Sequence, residues 1–166
     1  MEHITHARLV SLLRYEPDTG LFYWRKSRGR GHKTTNILAG TKHSSGYIYI
    51  RHRPKNYTAH RLAWYYITGH WPQDQIDHIN GDRTDNRFCN LRPATRTQNM
   101  RNIKRKRTNK SGLKGVSWSK ECRKWRACIV AGGQSLHLGL FLSKEDAHAA
   151  YWAAAQKLHG DFARSG

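Results

Sequence analysis

Between Asp77 and Asn99 the chain reads D-H-I-N-G-D-R-T-D-N-R-F-C-N-L-R-P-A-T-R-T-Q-N, a run that gathers carboxylates, one histidine and spaced carboxamides. A histidine exchanges a proton with water near neutral pH. A hard divalent cation takes oxygen donors such as an Asp carboxylate or an Asn carbonyl. Asp77, His78, Asn90 and Asn99 therefore have the composition of a metal-assisted hydrolytic site. Asn80-Gly81 directly after the Asp77-His78 pair favours a tight turn, because both residue types tolerate positive φ. The density of Asp and Asn also invites an EF-hand reading. That reading fails, because Ile79 stands where an oxygen ligand is required and no bidentate Glu follows.

These residues need elements to hold them. The pattern predicts a strand near 75–79, a loop through Asp85, a second short strand near 90–93 and a helix from about Thr95. A helix over 97–102 would bring Asn99 across from Asp77. Two strands and a helix bury little by themselves, so the Leu-, Tyr- and Trp-rich N-terminal region is expected to complete their core. There, Leu9, Leu12 and Leu13 predict a helix over 4–14 with Thr5 as N-cap, followed by a turn at Pro17–Gly20 and a strand over 21–25. The stretch from Ser27 to Thr35, with Arg28, Arg30 and Lys33 among glycines, is either a surface loop or a phosphate-contacting one. A strand over 46–51 is closed by a Pro54-Lys55-Asn56 turn. Thr58 then reads as the N-cap of a helix over 59–68 that Gly69 stops. His60 on that helix reads as a hydrogen-bonded structural residue.

The Asp77–Asn99 stretch resembles the ββα-metal core of HNH endonucleases, in particular the phage homing branch. The resemblance rests on Asp77-His78, Asn90-Leu91 and Gln98-Asn99, with His60-Arg61-Leu62 and Gly69-His70-Trp71-Pro72 upstream. It implies that Asp77 and Asn99 bind one divalent metal, that His78 is the general base, and that Asn90 orients the site. Asn90 in a purely structural role is the open alternative.

Composition indicates the substrate. Thirty Lys and Arg against 11 Asp and Glu give a formal charge of +19, beyond what solubility asks of a small protein. Such an excess suits a polyanion whose condensed counterions are released on binding. The basic residues interleave with Trp, Tyr, Asn and Gly, as on a nucleic-acid surface, and no apolar run approaches the ~20 residues of a spanning helix. Cys89, Cys122 and Cys128 form no Cys-x-x-Cys pair, which argues against structural zinc and against a disulfide framework. Met1–Thr5 lacks the apolar stretch of a secretory signal, so a reducing cytoplasm (the host's, for a phage protein) is the expected location.

Residues 101–114 carry Arg101, Lys104, Arg105, Lys106, Arg107, Lys110 and Lys114 with no acid, a tether able to track a DNA backbone. Beyond it, strands are predicted over 115–118, 124–130 and 136–141, with Gly132-Gly133 as a hairpin turn. A helix then begins after Ser143 and stops at Gly160. Alternation places Trp125, Ala127 and Ile129 under the helix and Lys124, Arg126 and Cys128 on the other face, with Lys120, Arg123 and Lys124 toward phosphates. Trp118 is either core or a groove-facing ring. Ser111-Gly112, Lys114-Gly115-Val116, Lys124-Trp125, Leu138-Gly139-Leu140-Phe141 and Ala147-His148-Ala149-Ala150-Tyr151 resemble the AP2/ERF DNA-binding domain. The resemblance implies a sheet that enters the major groove. Ser117, Ser119, Cys128, Val130 and His137 stand where plant members place base-reading side chains, so the plant recognition sequence does not transfer.

The expected fold class is α+β: an HNH core with an N-terminal extension over 1–100, a basic linker over 101–112, and an AP2-like domain over 113–166. The expected function is a metal-dependent HNH homing endonuclease acting on double-stranded DNA. Mg²⁺ is the first metal and Mn²⁺ the second, with no small-molecule substrate, no membrane partner, and a monomer compatible with the reading. The rivals are a non-catalytic DNA-binding regulator using the AP2-like domain and, more weakly, an RNA-binding structural protein.

Overall fold

The computed structural model describes residues 4–25, 37–102 and 108–165. The chain forms two compact units, Met1–Thr95 and Arg96–Gly166. The basic stretch at Ser27–Thr35 falls outside the described residues, as do Lys104, Arg105, Lys106 and Arg107.

In the first unit, helix α1 (His6–Leu12) is capped by Thr5, whose hydroxyl accepts from the Arg8 N–H at 3.3 Å. The helix ends earlier than its leucine spacing suggests. Leu13 opens strand β1 (Leu13–Glu16), where Leu13 and Tyr15 are buried and alternate with half-buried neighbours. Leu9 and Leu13 fit a helical period while Leu13 and Tyr15 fit a strand, and antiparallel pairing with β2 (Leu21–Trp24) decides between them. Strand β3 (Ile37–Ala39) completes this sheet. A second sheet holds β4 (Thr41–Lys42), β5 (Ile48–His52) and β6 (Lys55–Thr58), in that order. The expected turn at 54–56 is shorter, because Lys55 already pairs with His52. Helix α2 (Ala59–Thr68) follows, and Gly69 ends it in the left-handed region. Strands β7 (Gln75–His78) and β8 (Leu91–Ala94) pair antiparallel, and a 3-10 turn at Phe88–Asn90 leads into β8.

The core of this unit centres on Leu9, Phe22, Ile50 and Leu62, drawn from α1, β2, β5 and α2. Each such side chain contributes ~1.5–3 kcal/mol on burial. The N-terminal elements therefore complete the core beneath β7 and β8. They also hold the loop above it. A Cβ on Gly20 would lie 2.4 Å from the Arg87 nitrogen and 2.5 Å from the Asn86 carbonyl carbon, so the β1–β2 turn packs backbone to backbone against that loop. The Phe88 N–H donates to Pro17 O across the same contact, at 3.0 Å.

In the second unit, α3 (Arg96–Asn102) precedes β9 (Val116–Ser119), β10 (Lys124–Ala131) and β11 (Gln134–Phe141), an antiparallel sheet with β10 central. Helix α4 (Lys144–His159) begins at Ser143, whose hydroxyl accepts from the Asp146 N–H at 3.0 Å. Its small face, Ala147 and Ala155 with Tyr151, packs on Val116, Ala127 and Ile129. Gly115 is required there, because a Cβ would fall 2.0 Å from the Tyr151 ring. No helix among the described residues is long and apolar enough to cross a membrane.

Candidate active site

Strand β7 carries Asp77 and His78 at consecutive positions, both 4 % exposed. In the β7–β8 register, Asp77 lies opposite Arg92 and His78 opposite Leu91. Arg92 donates from Nε and Nη2 to Asp77 Oδ2 at 3.0 and 2.9 Å. The expected metal ligand thus carries a guanidinium, a partner that the sequence reading missed. Only the strand register reveals it.

The orientation of His78 comes from Asn86. His78 Nε2 lies 3.2 Å from Asn86 Oδ1, while Asn86 Nδ2 donates to Thr84 O at 3.1 Å. The second bond fixes which end of the carboxamide faces the histidine. An oxygen facing Nε2 requires the proton on Nε2, which leaves the Nδ1 lone pair as the basic atom of the neutral ring. Burial pushes the His78 pKa below the ordinary histidine value, against the opposing pull of the Asn86 bond and of Asp77. A neutral imidazole at neutral pH is the form that can take a proton. Asn86 is itself held, since its carbonyl accepts from the buried Tyr15 hydroxyl at 2.7 Å.

Asn90 has a different place. Its Oδ1 accepts from the Asn80 N–H at 3.0 Å, and its Nδ2 donates to Asn80 Oδ1 at 3.0 Å and to Asp85 O at 2.8 Å. These bonds clamp the two ends of the loop that follows His78. The other acids of that loop are likewise engaged. Asp82 caps Thr84, and Asp85 pairs with Arg87 through both oxygens. The hydrogen bonds from Arg87 hold the Asp85 carboxyl at about 2. Asp82 and Asp85 are loop braces, which explains the acid and amide density without a calcium loop.

Two further rings touch His78. His60 approaches it edge-on with centroids 5.0 Å apart, and Tyr47 lies 6.1 Å away. His60 is buried and held at about 3 by that burial. The expected hydrogen bonding is absent at His60 Nδ1, which has no partner, and Thr58 makes no side-chain cap bond to α2.

Asn99 lies half-buried on α3, in the second unit. The Asp77 carboxylate is a hard oxygen donor of the kind a divalent cation takes, whereas the side-chain oxygens of Asn86 and Asn90 are engaged by His78 and the Asn80 N–H. Among the described residues no three His, Cys, Asp or Glu side chains gather to hold a metal. An ion taken here would use few protein oxygens and keep water and phosphate in its shell, as Mg²⁺ does.

On the second unit, Lys120, Arg123, Lys124 and Arg126 are all exposed. Arg126 shares the face opposite α4 with Cys128, while Ala127 and Ile129 are buried beneath the helix. Trp118 pairs directly with Trp125 in register, their rings 5.1 Å apart, so both lie on the helix-side face. Trp118 and Arg126 therefore occupy opposite faces. Lys114 turns its ammonium to the Arg101 carbonyl at 2.8 Å, and burial lowers its pKa to about 8.

A family model described as HNH endonuclease matches residues 57–101, a span that takes in Asp77, His78, Asn86, Asn90, Arg92 and Asn99. Protein 3.8 of Escherichia phage T7 is 37 % identical over 108 residues, covering 63 % of this chain and 87 % of that protein. No solved structure matches. The chain belongs to the same family as phage T7 Protein 3.8 and carries an HNH endonuclease domain at residues 57–101.

Proposed function

We propose that the chain is a metal-dependent DNA endonuclease of the HNH homing type, in which His78 is the general base. The observation that carries this reading is the buried His78–Asn86 pair, which sets the proton of the neutral ring on Nε2 and its lone pair on Nδ1. His78 Nδ1 takes the proton of a water that attacks phosphorus, and the P–O3′ bond breaks. Asn86 Oδ1 keeps accepting from Nε2 as the ring becomes an imidazolium. The tie from Arg92 fixes the orientation of the Asp77 carboxylate. A divalent cation, Mg²⁺ or Mn²⁺, supplies stabilisation of the charge on the phosphate when bound. The resemblance assigns its protein ligands to Asp77 and Asn99, and leaves Asn90 to maintain the loop.

Substrate choice in this reading falls to the second unit, as an AP2-like reader of duplex DNA. The exposed Arg126, Lys124, Lys120 and Arg123 support it. Arg101, Lys104, Arg105, Lys106 and Arg107 would then run along the phosphates, whereas Lys114, bonded to the Arg101 carbonyl, and Trp118, on the face opposite Arg126, do not share the surface of Arg126. The +19 charge favours duplex DNA over any neutral partner.

A second reading, a DNA-binding regulator built on an inactive nuclease core, is favoured by one observation: Arg92 already occupies Asp77. A plasmid-nicking assay with and without Mg²⁺ separates the two. Nicking that needs the metal supports the enzyme. Retarded but uncut plasmid under the same conditions would support the regulator.

A further inference from the structure

Two buried polar atoms at the start of α2 make no hydrogen bond, the Thr58 hydroxyl and His60 Nδ1. Thr58 is the N-cap, in extended backbone, yet its hydroxyl does not cap the helix. His60 is 7 % exposed and lies in the first turn. Buried polar groups are normally paired, and leaving them unpaired is unfavourable. Both atoms belong to the N-terminal end of α2, and a partner arriving from outside would satisfy them.

The surroundings define that partner as an anion. The first turn of a helix presents unpaired N–H groups and the positive end of the dipole, and α2 has no acid there to occupy them. The Tyr47 ring packs on His60 at 5.0 Å, and the Arg83 guanidinium lies over Tyr47 at 4.8 Å. Arg83 is anchored by a 2.8 Å bond to Ser45 O. A cation is disfavoured by both the dipole and Arg83. The His60 ring meets the His78 ring at 5.0 Å, so the spot adjoins the proposed base.

We propose that the first turn of α2, through Thr58 Oγ1 and His60 Nδ1, is a phosphate-binding subsite beside His78 that seats a backbone phosphate of the nucleic acid. The phosphodiester as occupant rests on the nuclease reading, whereas the anion site itself does not. Held neutral by burial, His60 acts there as a hydrogen-bond donor.

The test uses the full chain, free of metal, titrated with inorganic phosphate and then with a short duplex. Both are followed by NMR of the His60 ring nitrogens and the Thr58 amide. The expected result is a saturable shift at both positions. Thr58→Val should weaken phosphate roughly tenfold or more, the effect of losing a hydrogen bond to a charged group. The same substitution should leave thermal stability unchanged or raised, because it deletes an unpaired hydroxyl of nearly the same shape. His60→Phe should weaken phosphate in the same way. If that variant misfolds, Thr58→Val decides alone. Wild-type phosphate affinity in Thr58→Val, or binding that shifts only surface Lys and Arg signals, overturns the subsite. A protein that binds phosphate at Thr58 and His60 but never cuts plasmid keeps the subsite and removes the nuclease reading.

Discussion

Replacing Asn86 with leucine removes the acceptor that holds the proton on His78 Nε2. Both residues are buried, with Asn86 2 % and His78 4 % exposed, so water is poorly placed to substitute. An orphaned N–H at such a site costs about 1–3 kcal/mol. The ring can escape that penalty by moving its proton to Nδ1, and doing so removes the lone pair that would take the proton from water. If the whole penalty appears in the tautomer balance, the cleavage rate falls about 5- to 150-fold, at about 1.4 kcal/mol per tenfold. Asn86→Asp keeps an acceptor and adds a charge that favours the imidazolium. It should cut faster than Asn86→Leu, with the acidic limb of its pH–rate profile moved to higher pH. The assay is single-turnover cleavage of a supercoiled plasmid at saturating Mg²⁺ across pH, with circular dichroism to check the fold. Wild-type rate and pH profile in Asn86→Leu would refute the assignment of Nδ1 as the basic atom.

Asn90→Ala removes the three hydrogen bonds that clamp the loop after His78. At ~1 kcal/mol each, the first unit should lose about 3 kcal/mol in denaturant unfolding, and an unchanged midpoint would contradict the clamp. Lys114 titrates at about 8 rather than near 10.5. The unfolded chain therefore binds the extra proton between these values, and stability should rise as pH rises through that window. In Lys114→Met that component of the rise should vanish, as read by thermal melts from pH 7 to 11.

The elements set by strong local signals were legible in the sequence. Helix α2 spans Ala59–Thr68 with Gly69 beyond it, and the β10–β11 hairpin turns at Gly132-Gly133, as expected. Strand β1 was not legible, because Leu13 serves a helical and a strand period equally and only pairing with Trp24 resolves it. At the site, the Asp77-His78 pair stood out by type and spacing. Asn86 and Arg92 did not. Choosing Asn86 among the amides of this loop requires knowing which one turns inward, and Arg92 meets Asp77 only through the register of two short strands. Gly20 and Tyr15 are further still, since they act on His78 through the backbone of Asn86–Arg87.

The central claim is that His78 moves the proton that makes water a nucleophile. Its most direct test compares the wild-type chain with His78→Ala on supercoiled plasmid with Mg²⁺, alongside duplex binding in EDTA. Loss of a general base lowers the rate ~10²–10⁴-fold. The expected result is that drop in cleavage with duplex affinity unchanged; cleavage by His78→Ala at the wild-type rate would contradict the account.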